Sequence, residues 1–203
     1  MNILVTGASK GIGNAIANEL KNIGDVFVTG RNEKALIECN SKGFCVCDLS
    51  KDVNILADFI EKNNIDVLIN NAGVFIYSDL DKMNIADIQR LYQTNLIAPA
   101  YLASKAIPNM KSKKWGRIIN IGSISGVMGE AYASIYSSSK AGLIGLTKAL
   151  ALELAEYNIT VNTINPGWVE TELGMASIDD SEFSREEIVE TIPQRRFVKP
   201  EEV

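Results

Sequence analysis

The sequence predicts an α/β fold in which a parallel, doubly wound sheet carries helices on both faces. Three observations predict it. Short runs rich in valine and isoleucine alternate with longer stretches of helical period. Most of these runs lack strict polar–apolar alternation, as expected of strands covered on both faces. A glycine-rich turn, Gly7 to Gly13, stands between the first run and the first helical stretch, where the chain must reverse tightly.

Asn2–Thr6 reads as the first strand, with a helix over 12–23 after it. Val26–Thr29 follows, then a weaker helical pattern over 32–40. Gly43–Cys47 reads as the third strand. Cys45 and Cys47 sit two apart there, so both point to one face, and core packing is the expectation for them. A helical stretch over 52–62 leads to Val67–Asn70, and a long one over 84–110 leads to Arg117–Ile121. The dense basic stretch Lys111–Arg117 reads as a solvated helix end. A helix over 135–157 precedes the last strand, Thr160–Asn165. Its apolar part, Ala141–Ala155, carries Lys148 and Glu153, which makes it a buried amphipathic helix and not a membrane span. Thr171–Arg196 breaks the pattern: it is polar, partly acidic, and carries Met175, Ile178 and Phe183. It reads as an inserted helical lid whose apolar residues either line a pocket or pack the lid itself. No repeat or linker divides the chain, so residues 1–203 are expected to form a single domain.

Composition narrows the function. With 203 residues, 46% hydrophobic and 22% charged, the chain has the make-up of a soluble globular protein able to bury a core. A formal net charge of −5 argues against phosphate-directed binding of nucleic acid. Met1–Thr6 already reads as a strand, leaving no room for a targeting signal, and a cytoplasmic location is expected. The three cysteines come with no histidine. That set does not make a metal site, and it excludes Ser-His-Asp and Cys-His nucleophilic catalysis.

The glycine turn reads Thr6-Gly7-Ala8-Ser9-Lys10-Gly11-Ile12-Gly13. Glycines at a strand-to-helix junction let the backbone turn tightly and approach a pyrophosphate, which then sits at the positive end of the helix. The spacing is one residue longer than the common Gly-x-Gly-x-x-Gly, and an unliganded turn would carry similar residues. Its place at the first β-α junction favours a dinucleotide.

Here the chain resembles the short-chain dehydrogenase/reductase family, over essentially its whole length. The glycine turn looks like that family's cofactor loop, and Asn70-Asn71-Ala72-Gly73 matches the end of its fourth strand. Asn95, Ser123, Tyr136 and Lys140 match its catalytic tetrad, and Pro166-Gly167 followed by Thr171 matches the turn that holds the nicotinamide. The resemblance implies a Rossmann-type fold and an oxidoreductase that moves hydride between nicotinamide and a carbonyl or alcohol. It implies cofactor contacts at Gly7, Ser9, Lys10, Gly11, Ile12, Gly13, Asp48, Leu49, Asn71, Ala72, Gly73, Pro166, Gly167, Val169 and Thr171, besides Tyr136 and Lys140. A homotetramer or homodimer is implied as well.

The chemistry can also be argued from the residues. Tyr136 and Lys140 are four apart in a helical stretch, hence on one face. A lysine charge at about 5 Å, in an effective dielectric near 20, stabilises phenolate by about 3 kcal/mol. That is roughly 2 pKa units, and it predicts a phenol drawn towards working pH, where acid–base catalysis is most effective. By resemblance Tyr136 protonates the substrate oxygen, Ser123 hydrogen-bonds that oxygen, and Lys140 also holds the nicotinamide ribose. Asn95 holds a water that links Lys140 to solvent. Ser125 competes with Ser123 for its role, with a spacing to Tyr136 that fits less well.

Cofactor choice rests on the end of the second strand. Gly30 stands where a carboxylate would accept hydrogen bonds from the adenosine ribose, and Arg31 follows. A guanidinium pairs with a 2′-phosphate that a carboxylate would repel, and Lys10 reaches the same phosphate. NADP(H) is therefore expected over NAD(H). Reduction of 3-oxoacyl groups on a carrier protein is the leading activity, with Lys113, Lys114 and Arg117 as a dock for an acidic carrier. A sugar or small-ketone reductase is the alternative. A catalytically silent NADP(H) sensor is a third reading, disfavoured by the complete tetrad. In the family, the phrase Arg196–Val203 opens a helix that a seventh strand follows. Their absence predicts an exposed sheet edge and a weakened dimer contact.

Overall fold

The computed structural model of the protein describes residues 1–179 and 183–203. Its strands are β1 (Asn2–Thr6), β2 (Asp25–Gly30), β3 (Gly43–Val46), β4 (Val67–Asn70), β5 (Gly116–Ile121) and β6 (Ile159–Ile164). They form one sheet in the order β3-β2-β1-β4-β5-β6, and all five pairings are parallel. The helices between them are α1 (Gly11–Leu20), α2 (Glu33–Glu38), α3 (Asn54–Lys62), α4 (Ile85–Tyr92), α5 (Ala98–Lys113), α6 (Ser125–Met128) and α7 (Ser134–Leu154). After β6 come α8 (Glu172–Asp179) and α9 (Arg185–Thr191).

Two cores explain the continuous apolar runs. Successive strand residues point to opposite faces. Ile3, Val5, Val26 and Val28 therefore pack with Ala17 of α1 and Leu36 of α2. Leu4, Phe27, Leu68 and Ile118 pack on the other face with Leu56 of α3 and Leu102 of α5. Cys45 and Cys47 join this second core, as their shared face requires. Burial raises both thiol pKa values, that of Cys47 to about 11, which keeps them unreactive.

The structure departs from the sequence reading, or decides an alternative it left open, in four places. The stretch 84–110 is not one helix: a π-helical turn over Gln93–Ile97 separates α4 from α5. The basic stretch Lys111–Arg117 is not merely solvated. Lys113 Nζ lies 2.5 Å from Asp66 Oδ1, Lys111 sits over the Tyr157 ring, and Arg117 stacks on Trp115 and donates to the Asn158 carbonyl. Of the lid, Met175 and Ile178 pack inside it with Ile188 and Phe197, whereas Phe183 lines the cleft; residues 180–182 lie outside the described residues. The phrase Arg196–Val203 forms a 3-10 turn over Pro200–Glu202 after Val198 pairs with Val169.

Candidate active site

A cleft of about 650 Å³ opens at the carboxyl ends of the strands. It straddles the point where β1 leads to β2 on one side and β4 lies on the other, the place where such sheets bind ligands. The Thr6 hydroxyl braces this point: its oxygen accepts the N–H groups of Asn71 at 2.9 Å and Ala72 at 3.0 Å. The Asn71 carboxamide donates to the carbonyls of Thr6 and Gly7, at 2.9 and 3.2 Å. The glycine turn is thus clamped from the β4 side.

The clamp leaves no room for side chains. Gly7 and Gly11 have φ of +66° and +57°, and a Cβ on Gly13 would lie 2.4 Å from Asn71 Nδ2 and 2.5 Å from the Gly7 carbonyl oxygen. The backbone is bare and ends on the N-terminus of α1, which suits the pyrophosphate of a dinucleotide. Ser9, Lys10, Gly11 and Ile12 line the cleft, with Leu49, Ala72, Gly73, Pro166, Gly167, Val169 and Thr171. Gly13 stands behind that lining, as does Asn95.

At the β2 end, Arg31 is exposed on the cleft wall and Asp48 faces it. The Ser50 hydroxyl and N–H hold the Asp48 carboxyl below its usual range, and Arg31 adds to the effect. Lys10 does not point towards Arg31 in this structure; it makes an ion pair with Glu172 of α8.

The catalytic candidates meet between β5 and α7. Ser123 follows the end of β5 and hydrogen-bonds the Tyr136 phenol. Lys140 Nζ lies 5.7 Å from the Tyr136 ring centre and donates to the Ile121 carbonyl at 2.7 Å. The rings of Phe75 and Tyr136 meet edge to face, centroids 4.9 Å apart. A polar ladder seats α7 in register: Asn70 donates to Asn120 at 2.9 Å, and Asn120 donates to Thr147 of α7 at 2.9 Å. Asn95 is fully buried in the π turn. Its Oδ1 accepts the Val74 N–H at 2.9 Å, and its Nδ2 donates to the Val74 carbonyl at 2.9 Å and to Ser139 at 3.2 Å. A Cβ placed on Gly73 would lie 3.5 Å from Asn95 Oδ1 and 3.7 Å from Lys140 Nζ, so both flank the same space.

One electrostatic expectation is overturned. Tyr136 is not drawn down by Lys140. Burial pushes the phenol up to about 12, with the Ser123 hydrogen bond opposing and the Glu130 charge adding to the rise. Burial also brings the Lys140 ammonium down to about 8. The pairwise charge argument omitted the desolvation of both groups, which is the larger effect here.

A second correction concerns the carrier dock. Lys113, Lys114 and Arg117 stand at the start of β5, and Ser123 follows its end. Six strand residues at about 3.3 Å each put them roughly 20 Å from the chemistry, at the amino ends of the strands. Ser125 is resolved too: it bonds Ser123 at 3.0 Å and does not replace it beside the phenol. Sequence reasoning missed Glu130, Tyr77 and Tyr132, all of which line the cleft. The Gly129 φ of +79° sets the turn that brings Glu130 in, and a glycine before an acid was the one available signal.

A dinucleotide cradle at the sheet's switch point, with a cleft-lining tyrosine and a buried lysine beside it, defines a nicotinamide-dependent oxidoreductase. Sequence comparison agrees: the profile of the short chain dehydrogenase family matches residues 1–182. The chain belongs to this family and is an oxidoreductase acting on carbonyl or alcohol groups. It is 36% identical over 214 residues to a 3-oxoacyl-[acyl-carrier-protein] reductase of Aquifex aeolicus, spanning 98% of this chain and 85% of that one. Among solved structures it resembles actinorhodin polyketide ketoreductase with NADPH, at 34% identity and a TM-score of 0.89, covering 99% of this chain and 86% of that one. It also resembles a Beutenbergia cavernae protein assigned as an NAD(P)-dependent gluconate 5-dehydrogenase, with NADP at low occupancy, at 30% identity and a TM-score of 0.90, covering 98% and 84%. No described helix is long and apolar enough to cross a membrane, and no metal-ligating cluster occurs among the described residues.

Proposed function

We propose that the protein is an NADP(H)-dependent reductase of 3-oxoacyl thioesters, with Tyr136 as the general acid. The observation that carries the reading is the convergence of Tyr136, Ser123 and Lys140 on the cleft that the glycine cradle lines. The 36% identical Aquifex aeolicus reductase supports the acyl substrate. Arg31, and Lys10 once it leaves Glu172, would hold the 2′-phosphate, with no acid at Gly30 to oppose it.

Bound in the cradle, the nicotinamide supplies the hydride. Tyr136 donates its proton to the carbonyl oxygen as charge develops there, and Ser123 positions that oxygen. A phenol with its pKa near 12 is fully protonated at neutral pH and so starts the reduction in the required state. Lys140 places positive charge near the phenolate left behind and would hold the cofactor ribose. Asn95 fixes Val74 and shares with Lys140 the space beside Gly73, where a water-mediated relay belongs.

A polyhydroxylated ketone is the second reading, favoured by the Glu130 carboxylate in the cleft, an acceptor for substrate hydroxyls. The test is NADPH consumption with a short 3-oxoacyl thioester against a panel of hydroxy-ketones. Preference for the thioester is expected. Turnover of the hydroxy-ketones alone would overturn the acyl assignment and leave the reductase standing.

A further inference from the structure

Hydrogen bonds continue from Tyr136 in the direction away from Lys140. The phenol meets Ser123, Ser123 Oγ lies 3.0 Å from Ser125 Oγ, and the Ser125 hydroxyl donates to Glu130 Oε2 at 2.5 Å. The Ser125 N–H also donates to Ser123 Oγ, at 3.1 Å. Both serines are buried, while Glu130 is partly exposed and lines the cleft. An ionised carboxylate only accepts, and each hydroxyl has one proton to give. The Ser125 proton therefore points at Glu130, which leaves the Ser125 oxygen to accept the Ser123 proton. Ser123 also faces the phenol, where its hydrogen bond favours the phenolate. The hydroxyls thus form one continuous chain, from Tyr136 through Ser123 and Ser125 to Glu130.

We infer that Glu130 is the solvent-side end of a proton relay that recharges Tyr136 through Ser125 and Ser123. In reduction the Tyr136 O–H bond breaks and its proton forms the O–H of the product alcohol, leaving a phenolate. Ser123 gives its proton to the phenolate, Ser125 gives its own to Ser123, and Glu130 passes to Ser125 a proton that its carboxylate takes up from water. Each oxygen of the chain breaks one O–H bond and forms one, so the net change is one proton drawn from solvent. Oxidation runs the same path in reverse, with the carboxylate as the final acceptor. Both oxygen–oxygen separations lie within the range of good O–H···O bonds.

The backbone is built to hold the carboxylate there. Gly129 has φ +79° and ψ 159°, a region open essentially to glycine alone. The Ala133 N–H donates to the Glu130 carbonyl at 3.2 Å, and the Ser78 N–H donates to the Tyr132 carbonyl at 2.8 Å. The Tyr77 and Tyr132 rings pack 5.2 Å apart over the same segment.

The relay rests on the reductase reading and not on the thioester, so its test uses whichever carbonyl substrate the wild-type enzyme reduces. Glutamine at 130 keeps an acceptor for the Ser125 hydroxyl but does not take up a proton. Glu130→Gln is expected to lower kcat on the order of tenfold, less than the hundredfold or more of losing an acid itself, because a route on the Lys140 side persists. KM and NADPH affinity should hold, and the solvent deuterium isotope effect on kcat should rise. Ser125→Ala should behave alike, and the double variant should be no slower than either single one, since both cut one path. Wild-type kcat in Glu130→Gln with a loss in Glu130→Ala would reduce Glu130 to an anchor for Ser125 and overturn the relay. A change confined to KM, or additive losses in the double variant, would overturn it as well. A wild-type protein that reduces no carbonyl would instead overturn the reductase reading itself.

Discussion

The Lys140 ammonium lies 5.7 Å from the centre of the Tyr136 ring and gives a hydrogen bond to the Ile121 carbonyl at 2.7 Å. The two groups share one pocket, and desolvation acts on both. It disfavours the charge on Lys140 and the charge on Tyr136 alike. The acid that the reduction needs is thus a neutral phenol, kept neutral by its surroundings.

The cost of that arrangement is measurable. The folded-state pKa of Lys140, about 8, lies below its ordinary value of 10.5. Between those two values the unfolded chain binds more protons than the folded one, so stability rises with pH through that window. Below it the buried ammonium costs on the order of 3 kcal/mol. Lys140→Met is expected to stabilise the fold at about pH 7 while losing turnover. Urea unfolding should show its advantage over wild type shrinking by about pH 9.5.

Arg31→Ala should weaken NADPH binding about tenfold or more, the worth of a charge-assisted contact, and leave NADH binding unchanged. Lys10→Ala should do less, because its ammonium must first leave Glu172. Glu172→Gln should tighten NADPH binding for the same reason. Nicotinamide fluorescence titration reads all three.

Gly13→Ala puts a methyl 2.5 Å from the Gly7 carbonyl oxygen, which is backbone and cannot move without opening the turn. Affinity for NADPH and NADH should fall together, and Tm should drop. Gly145→Ala is the control: nothing lies within 4 Å of a Cβ there. In the interior of α7 it should raise stability by about 0.5–1 kcal/mol.

Asn95→Ala removes three side-chain hydrogen bonds from a fully buried position. The Val74 N–H and carbonyl are left without these partners, and a loss of about 2–4 kcal/mol is expected from denaturant unfolding.

The strands were legible because they are buried runs of branched residues. β1 and β4 begin and end where the sequence places them, and the other four shift by no more than a residue at either end. The break in the helix at Asn95 was not legible. The bonds that hold it come from Val74, 21 residues away, and Ser139, 44 away, and no local pattern encodes them. The catalytic candidates came from the family resemblance, and spacing added only that Tyr136 and Lys140 fall on one helix face. Their acidities were not legible, because a pairwise charge estimate contains no burial. Glu130 escaped for a related reason: its approach to Ser125 depends on a backbone turn at Gly129, and the glycine before it was the one local signal.

The central claim is that Tyr136 is the acid of a carbonyl reduction. The measurement that tests it most directly is NADPH oxidation by wild-type protein and by Tyr136→Phe, on a short 3-oxoacyl thioester, with NADPH affinity measured alongside. The account predicts a rate at least a hundredfold lower in the variant, with NADPH affinity unchanged. Equal rates in the two proteins would contradict it.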